Sequence, residues 1–232
     1  MMNHLRTGHR GSTSPVTLLV SALLGLAVAL GIGWSPGVAV AAGHGDKAPV
    51  SAVQSRLAFH DAMRKLWEDH VTWTRLAIVT FADGSGGFSA TAGRLLQNQV
   101  DIGNAIKPFY GVAAGAQLTA LLHDHITIAV EVLQAAKAGD AGAFASAKSL
   151  WYANADQIAD FLSAANPKAW PDAVMRADMK THLDQTLLEA SDELQGHYAA
   201  SVSDYEAVHA HILMMADQLS AGIIQAFPSS FR

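Results

Sequence analysis

Apolar residues recur at helical spacing through most of the chain, and no stretch shows the clean alternation of a half-buried strand. The first helical stretch begins at Ser51 and ends near Phe81, where Asp and Gly residues at 83–87 predict a loop. Five further stretches follow the same pattern, so the sequence predicts an all-α fold, a bundle of about six helices. Their approximate ranges are 51–81, 91–108, 116–137, 141–164, 172–198 and 201–227.

A short motif occurs twice and predicts that the bundle is built from two similar three-helix halves. His-x-His-Ile begins at His123 and again at His209, an offset of 86 residues. The halves are predicted at about 51–139 and 140–228. A three-helix unit of roughly 85 residues buries its apolar faces poorly alone. We therefore expect one shared core and a single domain over residues 51–228.

The first 41 residues have the features of a secretory signal peptide. Arg6 and Arg10 give a positive start, residues 16–33 are almost wholly apolar, and a run of small residues supplies a cleavage site. An uncleaved anchor is the alternative, since 18 apolar residues can just span a bilayer. We expect cleavage of residues 1–41, a flexible leader over 42–50, and an exported protein, periplasmic or extracellular.

Charge and cysteine content exclude several classes of protein. The 232 residues include no cysteine, which rules out disulfides and thiolate metal sites. The net charge is −5, and loss of two arginines with the signal peptide makes it −7. Because phosphate binding needs a basic face, we expect no nucleic-acid partner. No second apolar run reaches spanning length, so we expect no membrane association after cleavage.

Polar residues interrupt the apolar faces of several predicted helices, which indicates a polar pocket inside the bundle. His70, His125 and His182 lie on three different helices, and Glu189 follows His182 along one polar line. Bundles hold first-row metals with imidazoles and carboxylates from facing helices, so these four residues are the candidate metal ligands. The candidate residues for binding a small ligand are Arg75, Asn154, Asp156 and Thr186.

Only one histidine of each His-x-His pair can face the core, because the two positions lie about 200° apart on a helix. We expect His125 and His211 to face inward, since each precedes an apolar residue of the buried stripe by one turn. Known metal spacings match poorly. Glu-x-x-His occurs once, at Glu206 and His209, and the zinc-protease spacing His-Glu-x-x-His is absent.

Three interpretations stay open at this point. The first is a binding protein that holds a metal ion or small ligand in the pocket. The second is a metal-dependent enzyme that uses the same pocket, with a carboxylate base such as Glu189. The third is a structural or interaction module in which the buried polar residues only satisfy one another. No catalytic residue is predicted, and any cofactor would be a first-row transition metal ion.

Three segments resemble those of a bacterial family of helical proteins of unassigned function. They are LWEDHVTWTR from Leu66, WYANADQIADFL from Trp151 and MMADQLSAGIIQAFP from Met214. The resemblance covers roughly residues 57–228 and implies a single helical domain. Some members carry the labels acetylglutamate kinase or glycosyltransferase, but both activities need an α/β architecture that this sequence does not predict. The residues that the resemblance draws attention to are His70, Arg75, Asn154, Asp156 and Asp217.

Overall fold

The computed structural model describes residues 51–232, which form five α-helices and one short 3-10 helix. The signal peptide and leader predicted within residues 1–50 lie outside the described residues. No strand occurs between residues 51 and 232, so an all-α helical bundle is confirmed for that range. The elements are α1 (Ala52–Ala82), α2 (Phe88–Ala138), α3 (Ala141–Ala165), α4 (Asp172–Leu194), α5 (Tyr198–Ala226) and the 3-10 helix Pro228–Ser230.

The structure has five α-helical segments, and α2 covers both the second and the third predicted helices, which meet at a non-helical residue. Pro108 lies inside α2, and Gly111 takes φ 87° and ψ 167°, a positive φ that glycine adopts without a Cβ clash. The chain bends there and its two arms meet where Gly103 faces Gly115. A Cβ on Gly103 would lie 2.6 Å from the Gly115 carbonyl oxygen. The glycines that predicted a turn therefore interrupt α2 at Gly111 and let its two helical arms pack closely against each other.

Capping residues account for where the other helices begin and end. Ser51 and Gln54 form a reciprocal capping box at the start of α1, with bonds of 3.2 and 3.0 Å. The fifth predicted helix ends earlier than expected, at Leu194, because Gly196 follows with φ 77°. The next helix starts at Tyr198. The loop between these two helices therefore lies before Tyr198, whereas the sequence predicted it after this residue.

The five helices form a closed ring in which each packs against the next and α5 packs back on α1. In addition, α4 touches α1 and α2 across the ring, so the interior is filled. Side chains on the inner faces of these helices therefore meet at the centre. The main core includes the fully buried side chains Ile102, Leu118, Ile158, Trp170, Met175, Leu183, Ile212 and Ile223.

Of the helices between residues 51 and 232, α5 alone is long and apolar enough to cross a membrane. In the bundle, 44% of its most apolar 18-residue window is buried. Its inner face carries Val208, Ile212, Met215 and Leu219, all part of the main core. Apolar composition combined with this burial is the pattern of a core helix.

Candidate functional site

Three histidines from three helices meet at the centre of the bundle. His70 on α1, His125 on α2 and His182 on α4 are each exposed by 4% or less. The ring centroid of His182 lies 5.8 Å from that of His70 and 6.4 Å from that of His125. We call these three side chains the histidine layer. The structure thus brings together three of the four candidate metal ligands.

Side-chain amides orient two of these imidazoles and determine where their protons lie. Asn154 on α3 donates its amide to the Leu121 carbonyl oxygen at 3.1 Å, so its Oδ1 accepts from His125 Nδ1–H at 2.9 Å. His125 Nε2 is then a bare lone pair. Gln99 on α2 donates its amide to His70 Nδ1 at 3.2 Å, which places the His70 proton on Nε2.

Several polar atoms in and around the histidine layer have no hydrogen-bond partner within the described protein. They are His182 Nδ1, Gln99 Oε1 and the indole Nε1 atoms of Trp67 and Trp151. Both indole rings pack against imidazoles of the layer. A buried donor or acceptor without a partner costs roughly 1–3 kcal/mol. Native proteins keep few such atoms, and the ones they keep call for a specific explanation such as a bound ion or water.

Burial keeps all three imidazoles neutral. Loss of solvation first, and the charge of His125 second, lower the pKa of His70 to about 3. The same cause lowers the pKa of His125 to about 4, although the hydrogen bond that His125 donates to Asn154 opposes the change. The pKa of His182 lies well below its usual value, again because of burial first and neighbouring histidines second. At ordinary pH the layer therefore presents neutral imidazoles, the form that binds metal ions.

Two small cavities lie against the histidine layer. The first, of about 50 Å³, is lined by all three imidazoles, by apolar side chains and by Thr186, whose hydroxyl donates to the His182 carbonyl oxygen at 2.8 Å. The second, of about 10 Å³, is lined by the same imidazoles with Trp67, Met179 and Met215. The first has room for a few small atoms or waters, and the second for a single ion.

A surface groove of about 650 Å³ adjoins the first cavity. It lies between the end of α2, the start of α3 and the second half of α4. Four apolar residues, Val132, Leu133, Leu187 and Ala190, line both spaces. These four side chains therefore form the boundary between the groove and the cavity beside the histidine layer.

Glu189, the fourth candidate metal ligand, lies apart from the histidine layer in a buried ion-pair network. Its carboxylate accepts from Arg75 Nη1 at 3.3 Å, while Arg75 Nη2 donates to Glu193 at 2.9 Å. Ser201 donates its hydroxyl to Glu193 at 2.7 Å and accepts from Arg75. Glu189 lines neither cavity. We call these four residues the Arg75 network, in which Arg75 and Glu189 bind each other.

Burial makes Glu189, one of the two carboxylates bound by the Arg75 guanidinium, hard to ionise. Burial raises the pKa of Glu189 to about 7. Arg75 opposes the rise, whereas Glu193 and Asp204 add to it. Near neutral pH, Glu189 is therefore close to half protonated.

Two further residues from the sequence analysis lie away from the cavities. The side chain of Asp156 is 57% exposed on the outer face of α3, where it pairs with Arg176 at 2.9 Å. His125 faces the core as expected, but its counterpart His211 is only partly buried. His211 donates Nε2–H to the Asp178 carbonyl oxygen at 2.9 Å and contributes to neither cavity.

Gln99 and Met179 belong to the site but were not among the candidate residues. Gln99 is fully buried and lies at helical spacing between the core residues Leu95 and Ile102. A polar residue inside an apolar stripe is the same signal that singled out His70 and His182, so periodicity could have found it. Met179 could not be found this way, because a methionine in an apolar stripe reads as core.

Comparisons with known proteins give no assignment. No protein-family model, no curated protein and no solved structure matches the chain. Among residues 51–232, no group of three or more His, Asp or Glu side chains is arranged ready to hold a metal ion. A functional conclusion must therefore come from the neutral imidazoles, the unpartnered polar atoms and the two cavities.

Proposed function

We propose that the protein is an exported binding protein that holds one transition-metal ion in the histidine layer. The main support is the meeting of three neutral imidazoles from three helices beside two small cavities. Imidazole suits zinc, copper, iron and nickel among the first-row metals. The buried, unpartnered Nδ1 of His182 is the atom that most needs such a partner.

His125 already has the environment of a metal ligand. Metal-binding histidines usually donate their other ring N–H to an oxygen, which fixes the tautomer and aims the free nitrogen. His125 does this with Asn154 Oδ1 at 2.9 Å. Its Nε2 lone pair is therefore the first ligand of the proposed site.

The spacing of His125 and His182 suits one shared ion. Two imidazoles on opposite sides of a metal have ring centroids roughly 6 Å apart, because each metal–nitrogen bond is about 2.0–2.1 Å long. The observed separation is 6.4 Å, with an angle of 25° between the ring planes. A shared ion therefore suits the present spacing of α2 and α4.

His70 joins the site only after a change of tautomer. Its Nδ1 accepts from the Gln99 amide, so Nε2 carries the proton and cannot bind a metal. Rotation of the Gln99 amide would let Oε1, which has no partner, accept a hydrogen bond from a protonated Nδ1–H instead. We therefore assign His125 and His182 as the primary ligands and His70 as a third that Gln99 controls.

A second candidate ligand is a small uncharged molecule. Its support is the mainly apolar lining of the 50 Å³ cavity and of the adjoining groove, with a few polar groups, which is typical of small-molecule sites. The metal-dependent enzyme has less support. Its carboxylate base would be Glu189, which is bound to Arg75 and away from the imidazoles.

Export and an internal duplication are part of the proposal, and both are supported by the sequence. The pattern of residues 1–41 is that of a secretory signal. The repeated His-x-His-Ile motif supports two related halves, and of the two copies of this motif only the first contains a proposed metal ligand, His125. The intact mass of protein isolated from the cell envelope tests the cleavage site, since loss of 41 residues gives one predicted value.

Elemental analysis of protein purified from its own envelope, without an affinity tag, tests the metal directly. We expect one metal ion per chain in the wild type, and none in His182→Gln. His123→Gln is the matched control, because His123 lies two residues from His125 on α2 with a side chain that is 53% exposed. The control should keep its metal.

Circular dichroism and thermal unfolding of both variants separate loss of a ligand from loss of the fold. A folded wild-type protein that takes up neither monovalent nor divalent first-row metals would overturn the metal proposal. An organic adduct in native mass spectrometry would then favour the uncharged ligand. If wild type and His182→Gln are equally stable and neither carries a bound species, the result would favour the third interpretation, a structural or interaction module without a ligand.

A further inference from the structure

We infer that the ion for which the histidine layer is built is Cu(I) rather than a divalent metal. This inference rests on the proposed function and names its ligand. It comes from the second cavity, of about 10 Å³, where Met179 and Met215 stand beside the three imidazoles. Thioether sulfur is a soft ligand that selects Cu(I), and imidazole binds copper as well.

Both methionines are held inside the core by neighbouring helices. Met179 is 6% exposed and precedes His182 by three positions on α4, so the two side chains lie on one face of that helix. Met215 is 2% exposed and reaches the cavity from α5. Two helices thus each bring a thioether to the cavity that His182 also lines.

The lack of negative charge around the histidine layer also favours a monovalent ion. No carboxylate is hydrogen-bonded to the imidazoles of the histidine layer in residues 51–232, and Glu189 is bound to Arg75. The cost of moving an ion out of water rises with the square of its charge. A divalent ion without a counter-charge would therefore cost roughly four times as much to bury as a monovalent one.

The number of ligands leads to the same ion. Structural zinc sites need four ligands, and catalytic ones three with an added water. Within residues 51–232, no group of three His, Asp or Glu side chains is already arranged to hold a metal ion. Cu(I) is satisfied by two or three ligands. His125 Nε2, one nitrogen of His182 and the sulfur of Met179 or Met215 complete such a set without any carboxylate.

Titration with Cu(I) under reducing, oxygen-free conditions, in competition with a chromophoric Cu(I) chelator, tests the assignment. Met179→Leu and Met215→Leu keep the side-chain volume, so the core should stay folded. We expect the double variant to bind Cu(I) about tenfold or more weakly, the scale seen when a supporting group of a metal site is lost. Met214→Leu is the control, since Met214 is on the same helix but 43% exposed.

Ag(I), a redox-inert stand-in for Cu(I), supplies an independent readout. In the wild type it should shift the ε-methyl NMR signals of Met179 and Met215 and leave that of Met214 unchanged. Zn(II) titrated in parallel should bind more weakly than Cu(I) and should not respond to the methionine changes.

The outcomes separate the two proposals. If Zn(II) binds through His182 and the methionine variants bind Cu(I) as well as the wild type does, the metal site stands and the copper assignment is overturned. If neither Cu(I), Ag(I) nor Zn(II) binds the folded protein, both proposals fail. Circular dichroism of each variant shows whether the fold is intact.

Discussion

The bundle contains two clusters of buried polar side chains, the Arg75 network and the histidine layer. Their members on α4, Glu189 and His182, lie two helical turns apart, but the two clusters differ in charge and in hydrogen bonding. The Arg75 network, which contains Glu189, is charged, and each of its side chains has a hydrogen-bond partner. The histidine layer, which contains His182, is neutral, borders two cavities and keeps unpartnered atoms. A network that is already satisfied serves the fold, whereas a set of groups that is not satisfied is suited to a ligand.

The largest effect is expected when the one cation of the charged network is removed. Arg75→Met leaves Glu189 and Glu193, exposed by 1% and 5%, without a counter-charge. Breaking a buried ion pair from one side costs about 3–5 kcal/mol. Urea unfolding at pH 7 should show a loss of free energy of unfolding on this scale.

Arg64→Met is the matched control for this substitution. Arg64 pairs with Asp217 at 2.6 Å, but the two side chains are 34% and 47% exposed. Exposed pairs contribute about 0–1 kcal/mol. Equal losses in the two arginine variants would mean that the Arg75 network stabilises the fold no more than a surface pair does.

The two regions should also respond to pH in opposite directions. The folded pKa values of His70 and His125, about 3 and about 4, lie below the ordinary value of 6.5. Between about pH 4 and 6.5 only the unfolded chain takes up these protons. The stability from neutral imidazoles is therefore present above pH 6.5 and is lost as the pH falls.

Glu189 acts the other way. Its folded pKa of about 7 lies above the ordinary value of 4.5, so the folded chain holds a proton that the unfolded chain releases. The stability from this proton is present below pH 4.5 and is lost as the pH rises through 7. Per titrating group the slope is about 1.4 kcal/mol per pH unit.

Glu189→Gln separates the two pH effects. The amide oxygen still accepts from Arg75, but the proton uptake disappears. Relative to the wild type, this variant should gain about 1.4 kcal/mol in free energy of unfolding for each pH unit between 5 and 7. Denaturant unfolding at several pH values measures it. A constant difference would place Glu189 in its ionised form throughout.

The sequence could predict an all-helical bundle and the three buried histidines of the layer, but it wrongly expected His211 to face inward with them, and it could not predict how the buried histidines are used. Periodicity located His70, His125 and His182, because a polar residue on an apolar stripe must be buried. Periodicity could not predict that Glu189 lies apart from these histidines. The spacing of Glu189 and His182 along α4 does not show that Arg75, on α1, binds the Glu189 carboxylate. Asp156 was misplaced for a related reason, because its distance from Asn154 along the chain turns it to the outer face of α3.

A smaller effect, of opposite sign to that of Arg75→Met, is expected in the histidine layer. His182→Leu removes a buried nitrogen that has no partner and supplies an apolar side chain of similar size. In the metal-free protein we expect the free energy of unfolding at pH 7 to rise by about 1 kcal/mol. Metal uptake should be lost at the same time.

This pair of results tests whether the histidine layer is retained for binding. A layer that served the fold alone would lose stability in His182→Leu, as Arg75→Met does. Urea unfolding of metal-free wild type and variant, with metal removed by a chelator and dialysis, gives the comparison. A loss of more than about 1 kcal/mol would assign the layer to the fold.

The smallest effect is expected at Asp156, which the sequence placed in the pocket with the histidines. Its carboxylate pairs with Arg176, which also pairs with Asp160 and Asp172, so two other carboxylates remain when it is removed. Asp156→Asn should therefore change neither metal content nor the urea midpoint measurably. Asn154→Ala, two residues away, should weaken metal binding about tenfold or more, because His125 then loses the oxygen that fixes its tautomer. Equal metal affinities in the two variants would show that His125 needs no such support, and its assignment as the first ligand would fall.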